Sequence, residues 1–294
     1  MTEIRLSCKD IIEGAHSDAI WSLKIVNKTL ITGSVDQTIK TWDLETNLSQ
    51  NFPEVHQLGV VSLDANESVA CSLSLDGLLA KFDLQTRELL ISKSIESGWK
   101  CRLNPSGTVI AVGCQNGQIL MLNAETLDQL FNVSTFGGCI MSLTFSKSGI
   151  YFAVGTYSGE VYVFESESGR LFRKFQSHSM PVRSVAFTDD DLMLYSGSDD
   201  SRINLFNVSH GHLTATFTGH TSWVTSVVPH PYEPLLASSS TDGTVRIWDL
   251  NTKNCQDIFD HQKDPVWDLS WCTELNYLCS VTEQGGLRVF QLLN

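Results

Sequence analysis

Thr38-Ile39-Lys40-Thr41-Trp42-Asp43-Leu44 and Thr244-Val245-Arg246-Ile247-Trp248-Asp249-Leu250 are nearly the same heptamer, set far apart in one chain. Each is rich in β-branched residues, ends on an indole and then turns, as a strand does when it closes against a packed face. Weaker copies lie between and after them. The residues that close the copies are Trp42, Phe82, Leu122, Phe164, Phe206, Trp248 and Phe290, at steps of 40 or 42 residues. Seven copies at one period predict a fold of repeated units, each too small to bury its own apolar faces.

Two further markers run in phase with the closing residue. His16, His56, His178, His220 and His261 each precede a strand-like segment by a few residues. Asp36, Asp76, Asp200 and Asp242 each stand six residues before a closing aromatic, and the hydroxyls of Thr32, Ser72, Ser196 and Ser238 stand four residues before the Asp. Repeats one and six carry the full set: His16, Thr32, Asp36, Trp42 and His220, Ser238, Asp242, Trp248. Repeat seven keeps His261 and Ser280 but has Gln284 in the Asp place. Repeats three and four have no His near Ser97 and Gly138, Asn116 and Ser158 in the Asp place, and Val112 and Val154 in the hydroxyl place. Their turns are expected to rest on packing alone.

This pattern resembles the WD-repeat β-propeller family, with about 40 to 45 residues per four-stranded blade. The resemblance covers the whole chain and implies an all-β fold, one seven-bladed propeller over residues 1–294. It also implies a buried polar chain in the intact repeats, with Asp accepting from His and His linked to the hydroxyl and the Trp. After Phe290 too few residues remain for an outer strand in blade seven. Ile4-Arg5-Leu6-Ser7-Cys8 alternates correctly and is expected to supply that strand and close the ring.

The 33 acidic and 20 basic residues give a formal net charge of −13. A protein that grips phosphates needs clustered Lys and Arg, so direct nucleic-acid binding and anionic membranes are disfavoured. No apolar run approaches the roughly 20 residues of a membrane helix. The eight cysteines form no CxxC pair and read as small buried hydrophobes in a reducing compartment. The periodic histidines fall on different repeats, too far apart to share a metal. His210-Gly211-His212 lacks a third ligand, and Asp189-Asp190-Asp191 reads as a solvated loop. No phosphate loop, HExxH or G-x-S-x-G occurs. The expectation is no catalytic site, no cofactor and no metal.

The first strand of each repeat aligns as Ile20-Trp21-Ser22-Leu23, Val60-Val61-Ser62-Leu63, Val182-Arg183-Ser184-Val185, Val224-Thr225-Ser226-Val227 and Val266-Trp267-Asp268-Leu269. Trp99 and Met141 fill the second slot in repeats three and four. In WD-repeat propellers that slot lies at the rim of the central channel on the top face. The resemblance therefore places Trp21, Val61, Trp99, Met141, Arg183, Thr225 and Trp267 around one mouth, with Tyr157 and Trp223 extending the face. Aromatics, Met and Arg are enriched in interface hot spots. The expectation is a partner-binding face on which Arg183 pairs with a carboxylate or carbonyl; the competing reading tucks the rings between blades.

Loop residues outside the generic repeat, such as Ala15-His16-Ser17-Asp18-Ala19-Ile20-Trp21, His56-Gln57-Leu58-Gly59, His178-Ser179-Met180-Pro181, Gly219-His220-Thr221-Ser222-Trp223 and Asp260-His261-Gln262, resemble the WD-repeat subunits of superkiller (Ski) complexes. That resemblance implies a monomeric scaffold within a hetero-complex, in nucleus and cytoplasm. Its partners would be a TPR-repeat scaffold and a helicase that feeds mRNA to the exosome for 3′–5′ decay, and subunits of the RNA polymerase II-associated factor complex in transcription elongation. The alternative is a substrate receptor of a ubiquitin ligase, which usually brings a box or docking helix outside its repeats.

Overall fold

The computed structural model describes residues 5–293. It contains 28 strands in seven four-stranded antiparallel sheets, and all its described elements are strands. The seven-bladed, all-β expectation holds. No described helix is long and apolar enough to cross a membrane. The inner strands of blades one to seven are Ile20–Val26, Val60–Ala65, Gly98–Leu103, Ile140–Phe145, Val182–Phe187, Val224–Pro229 and Val266–Cys272.

The core lies between blades rather than within them. Cys71 and Leu73 of blade two pack with Ile110 and Val112 of blade three. Ile119 and Met121 of blade three pack with Phe152 and Val154 of blade four. Both faces of a blade are covered, which is why the second strands read as almost continuous apolar or small runs, such as Val109-Ile110-Ala111-Val112-Gly113-Cys114. The closing aromatics Phe82 and Phe290 are fully buried.

The turn between the second and third strands of each blade needs a left-handed residue. Gly77, Gly117, Gly159, Gly243 and Gly285 supply it in five blades, and Gln37 (φ 74°) and Ser201 (φ 63°) accept it in blades one and five. At Gly243 a Cβ would also meet the Lys263 backbone at 2.6 Å.

Hydrogen bonds stitch one inner strand to the next. Ser22 Oγ accepts from Leu63 N (3.0 Å), Ser62 Oγ from Cys101 N (3.1 Å), Ser184 Oγ from Val227 N (3.0 Å) and Asp268 Oδ2 from Leu23 N (3.1 Å). Each spans from the residue after the rim slot of one blade to the strand of its neighbour. The last of these joins blade seven to blade one.

The ring is also closed by hydrogen-bonded pairing of two strands far apart in sequence. Arg5–Ile12 pairs antiparallel with Leu287–Leu293, with Leu6 opposite Leu292, Cys8 opposite Phe290 and Ile12 opposite Leu287, and a bulge between Cys8 and Asp10. The closing strand therefore runs four residues beyond the expected stretch, while Ile4 lies outside the described residues. Leu6 is buried against Leu278, Phe290 and Leu292. Burying one leucine contributes about 1.5–3 kcal/mol, and the lost ladder adds to that. Deleting residues 1–12 is expected to lower the melting temperature by about 5 °C or more. An unchanged thermal melt would refute ring closure by this strand.

Candidate functional site

The rim slot has a backbone cause. In all seven inner strands the ladder to the second strand skips one residue, and the skipped residue is Trp21, Val61, Trp99, Met141, Arg183, Thr225 or Trp267. A β-bulge leaves its extra residue unpaired and re-aims the side chain. Seven bulges in equivalent places turn seven side chains toward the axis. All seven line one cavity of about 200 Å³, together with Lys100. Below it lies a channel of about 180 Å³ lined among others by Lys24, Asp64, Arg102 and Asp268.

The slot residues do not share one depth. Trp21, Trp99, Trp267 and Arg183 are half-buried, while Val61 (2% exposed), Met141 (9%) and Thr225 (7%) are buried. The expected exposed ring is thus corrected to a rim of three indoles over a wall of shorter side chains. Thr225 turns its hydroxyl into the wall, donating to Val266 O at 2.6 Å and bonded to Ser239 Oγ at 2.8 Å. Trp21 and Trp99 also rest partly on the core between blades two and three. The Trp21 and Trp267 rings lie 6.1 Å apart at 60°, and Trp267 Nε1 donates to Glu283. Trp21 Nε1 is buried with no acceptor.

Arg183 already has its carboxylate. Its Nε and Nη2 donate to Asp199 Oδ1 (2.5 Å) and Oδ2 (2.9 Å), and its guanidinium lies 4.4 Å from the centre of the Trp223 ring. The fork fixes Arg183 as a flat platform rather than a free cation. Trp223 (40% exposed) and Tyr157 (63%) stand on loops and are not brought into the cavity. Sequence reasoning missed Lys100 and Phe136, which is 97% exposed on the loop that enters blade four. The signal for Lys100 was present: the residue after the slot reads Ser22, Ser62, Lys100, Ser142, Ser184, Ser226 and Asp268.

The periodic histidines form structural relays. In blade one Trp42 Nε1 donates to Thr32 Oγ1 (3.0 Å), Thr32 Oγ1 meets His16 Nε2 (2.8 Å), and His16 Nδ1 meets Asp36 Oδ2 (3.0 Å). Asp36 also accepts from Ser17 N and Thr38 N, tying loop to turn. Blade six repeats this with Trp248, Ser238, His220 and Asp242. The hydroxyl is the hub. It accepts from the indole and gives its one proton to the imidazole, which assigns a neutral His with its proton on Nδ1. Blade five keeps His178 between Ser196 and Asp200. In blade two His56 meets Ser72 at 2.7 Å, but its Nδ1 is buried without a partner.

The degenerate blades use other means. In blade seven Asp264 accepts from Gln284 N (3.2 Å), so the loop supplies the carboxylate and the turn the N–H, the reverse of blade one. In blades three and four Val112 and Val154 fill the core, and the turns keep local bonds such as Asn116 Oδ1 accepting from Gln118 N (3.0 Å). Packing alone does not hold them. His210 and His212 sit on an exposed turn, where His210 bonds Asn207. Among the described residues no group of three or more His, Cys, Asp or Glu is placed to hold a metal ion.

Residues 7–43, 169–207 and 211–249 match the WD domain, G-beta repeat. These are the stretches that carry the His–Asp relays of blades one, five and six. Those stretches lie in a seven-bladed β-propeller, so the chain is a propeller that carries WD repeats in blades one, five and six. It is similar to WD repeat-containing protein VIP3 of Arabidopsis thaliana (32% identical over 111 residues, 34% of this chain and 35% of that protein). It is also similar to WD repeat-containing protein SL1-17 of Schistosoma mansoni (32% over 151 residues, 47% and 50%) and to meiotic recombination protein rec14 of Schizosaccharomyces pombe (29% over 144 residues, 44% and 47%). The matched stretches span about a third to a half of these relatives' lengths.

Removing the Asp36 carboxylate strands two backbone N–H groups and leaves the His16 Nδ1–H only the Thr38 hydroxyl to donate to. Asp36→Ala is expected to cost about 2–3 kcal/mol in denaturant unfolding. Asp76→Ala, whose carboxylate makes no bond to His56, is expected to cost about half as much; equal losses would refute the relay as the cause. Burial pulls the His16 pKa down to about 4, against the pull of Asp36, and burial with Arg288 nearby takes His261 to about 4. A folded pKa below the unfolded value of about 6.5 means stability is full above that pH and is lost as pH falls toward 4. The melting temperature is expected to be flat between pH 7 and 8 and to fall steadily from 6.5 to 4. A flat profile down to pH 4 would contradict neutral relays.

Proposed function

We propose that this propeller is a non-catalytic protein-interaction scaffold whose top-face mouth receives a segment of a partner polypeptide. The observation that carries the reading is the convergence of seven bulged residues, three of them tryptophans, on one half-open cavity. Ordinary monomer surfaces seldom gather large apolar side chains this way, and such patches mark partner sites. Trp21, Trp99 and Trp267 supply the large apolar side chains, Met141 and Val61 form the wall, and the Arg183–Trp223 stack with Tyr157 extends the rim. WD-repeat propellers in general bind proteins through such faces.

The finer reading is a subunit of a superkiller-type assembly, docked on a TPR-repeat scaffold and supporting a helicase in exosome-dependent mRNA decay. The same propeller would also serve the RNA polymerase II-associated factor complex, in nucleus and cytoplasm. The loop segments quoted above support this reading, and the net charge of −13 leaves nucleic acid to the partners. Affinity purification of wild type against the Trp99→Ala/Trp267→Ala double variant tests it. The expected result is loss of a TPR protein and a helicase while the variant keeps a cooperative melt. Retention of both at wild-type levels would remove the mouth from the interface, and their absence from the wild-type eluate would remove the assembly.

A further inference from the structure

Blade three breaks the ring of inter-blade acceptors. After the bulge, six blades carry a residue that can accept a hydrogen bond, and blade three carries Lys100. An ammonium cannot accept the neighbouring strand's N–H. The side chain is therefore released from the stitching and lies where the mouth meets the channel, lining both. Its one hydrogen bond is long, from Nζ to Val61 O at 3.4 Å.

Every other cation there is occupied. Lys24 pairs with Asp64 at 2.9 Å, Arg183 with Asp199, and Arg102 donates to Ser62 Oγ, Leu63 O and Cys101 O. The Asp268 carboxylate is taken by the N–H groups of Leu23 and Leu269. Among the described residues Lys100 has no carboxylate at ion-pair distance, in a protein with 13 more acidic than basic residues. An enclosed charge is costly unless it is paired. Burial, with Arg102 and Arg183 adding repulsion and Asp268 opposing, holds the Lys100 pKa down to about 8.

We propose that the mouth is built for a partner segment that inserts one acidic side chain, its aliphatic stem against the indoles of Trp21, Trp99 and Trp267 and its carboxylate on Lys100 Nζ. This rests on the reading of the mouth as the partner site. One cation under apolar walls fits a monoanion on an apolar stem better than a phosphate dianion. An acidic run is disfavoured, because the exposed Glu283 bonds the rim indole of Trp267 and the whole chain is negative. The fitting segment carries a single Glu or Asp among apolar and basic residues.

The test uses capped dipeptides on the full chain by calorimetry: Phe-Glu against its isostere Phe-Gln, both acetylated and amidated, and acetylated Phe-Gln with a free C-terminal carboxylate. Wild type is expected to bind Phe-Glu about tenfold or more tighter than Phe-Gln. The preference should shrink as pH rises from 7 to 9, while Lys100 loses its proton. Lys100→Met should bind both capped peptides with the wild-type affinity for Phe-Gln, and Trp99→Ala should weaken both. Equal wild-type affinities, a preference kept by Lys100→Met, or a preference only for the free C-terminus would overturn the acidic side-chain assignment. Continued loss in Trp99→Ala would then leave the mouth reading standing. Failure of wild type to bind any of the three would overturn both. The wild-type comparison and its pH profile stand without any variant.

Discussion

A four-stranded blade has two apolar faces and can cover neither by itself. That constraint organises the molecule. It places the core between blades, as where Leu73 meets Val112 and Met121 meets Phe152, and it forbids a first or last blade with a bare face. The ring is the solution, and residues 5–12 are the piece that makes blade seven complete. The acceptors Ser22, Ser62, Ser184 and Asp268 add direction to the packing, because each ties its blade to a neighbouring inner strand.

Within that frame the polar relays are supplements. Trp42, Thr32, His16 and Asp36 fasten one turn to one loop in blade one, and the same groups recur intact in blade six. Blade seven reaches a similar end with Asp264 and Gln284 exchanging roles. Blades three and four put valine where the hub hydroxyl would be and stay equally well buried there. A buried hydroxyl without partners would cost more than it returns, whereas valine in the same space costs nothing. Val112 and Val154 accompany the missing histidines for that reason, whereas blades two, five and seven keep the His–hydroxyl pair although other members of the relay are gone.

The blade count and the strand ends were legible because a 40- to 42-residue period leaves its trace on aromatic and Asp positions alike. The seven slot residues were legible too, since each occupies the same place relative to a β-branched neighbour. Depth was not. Whether Val61 and Thr225 reach the rim depends on side-chain length, and both are buried where Trp21 and Trp267 stay half-buried. The pairing of Arg183 with Asp199 joins the ends of two adjacent strands, 16 residues apart, and the sequence alone did not show that Arg183 would be taken by it. Lys100 showed in the alignment only as a break in a run of serines, and its meaning required knowing that those serines face the neighbouring blade.

The strand that closes the ring sets an order on synthesis. Residues 5–12 leave the ribosome long before their partner, residues 287–293, is made. Joining ends so distant carries only a logarithmic entropic penalty at equilibrium, so the finished ring is secure. During translation the situation differs: each completed blade presents an open sheet edge and a bare face until its successor arrives, and the first strand waits unpaired throughout. The nascent chain is thus the form of this protein most in need of a chaperone, and the same joint that completes it is the place where mechanical tension on the two ends would begin to unzip it.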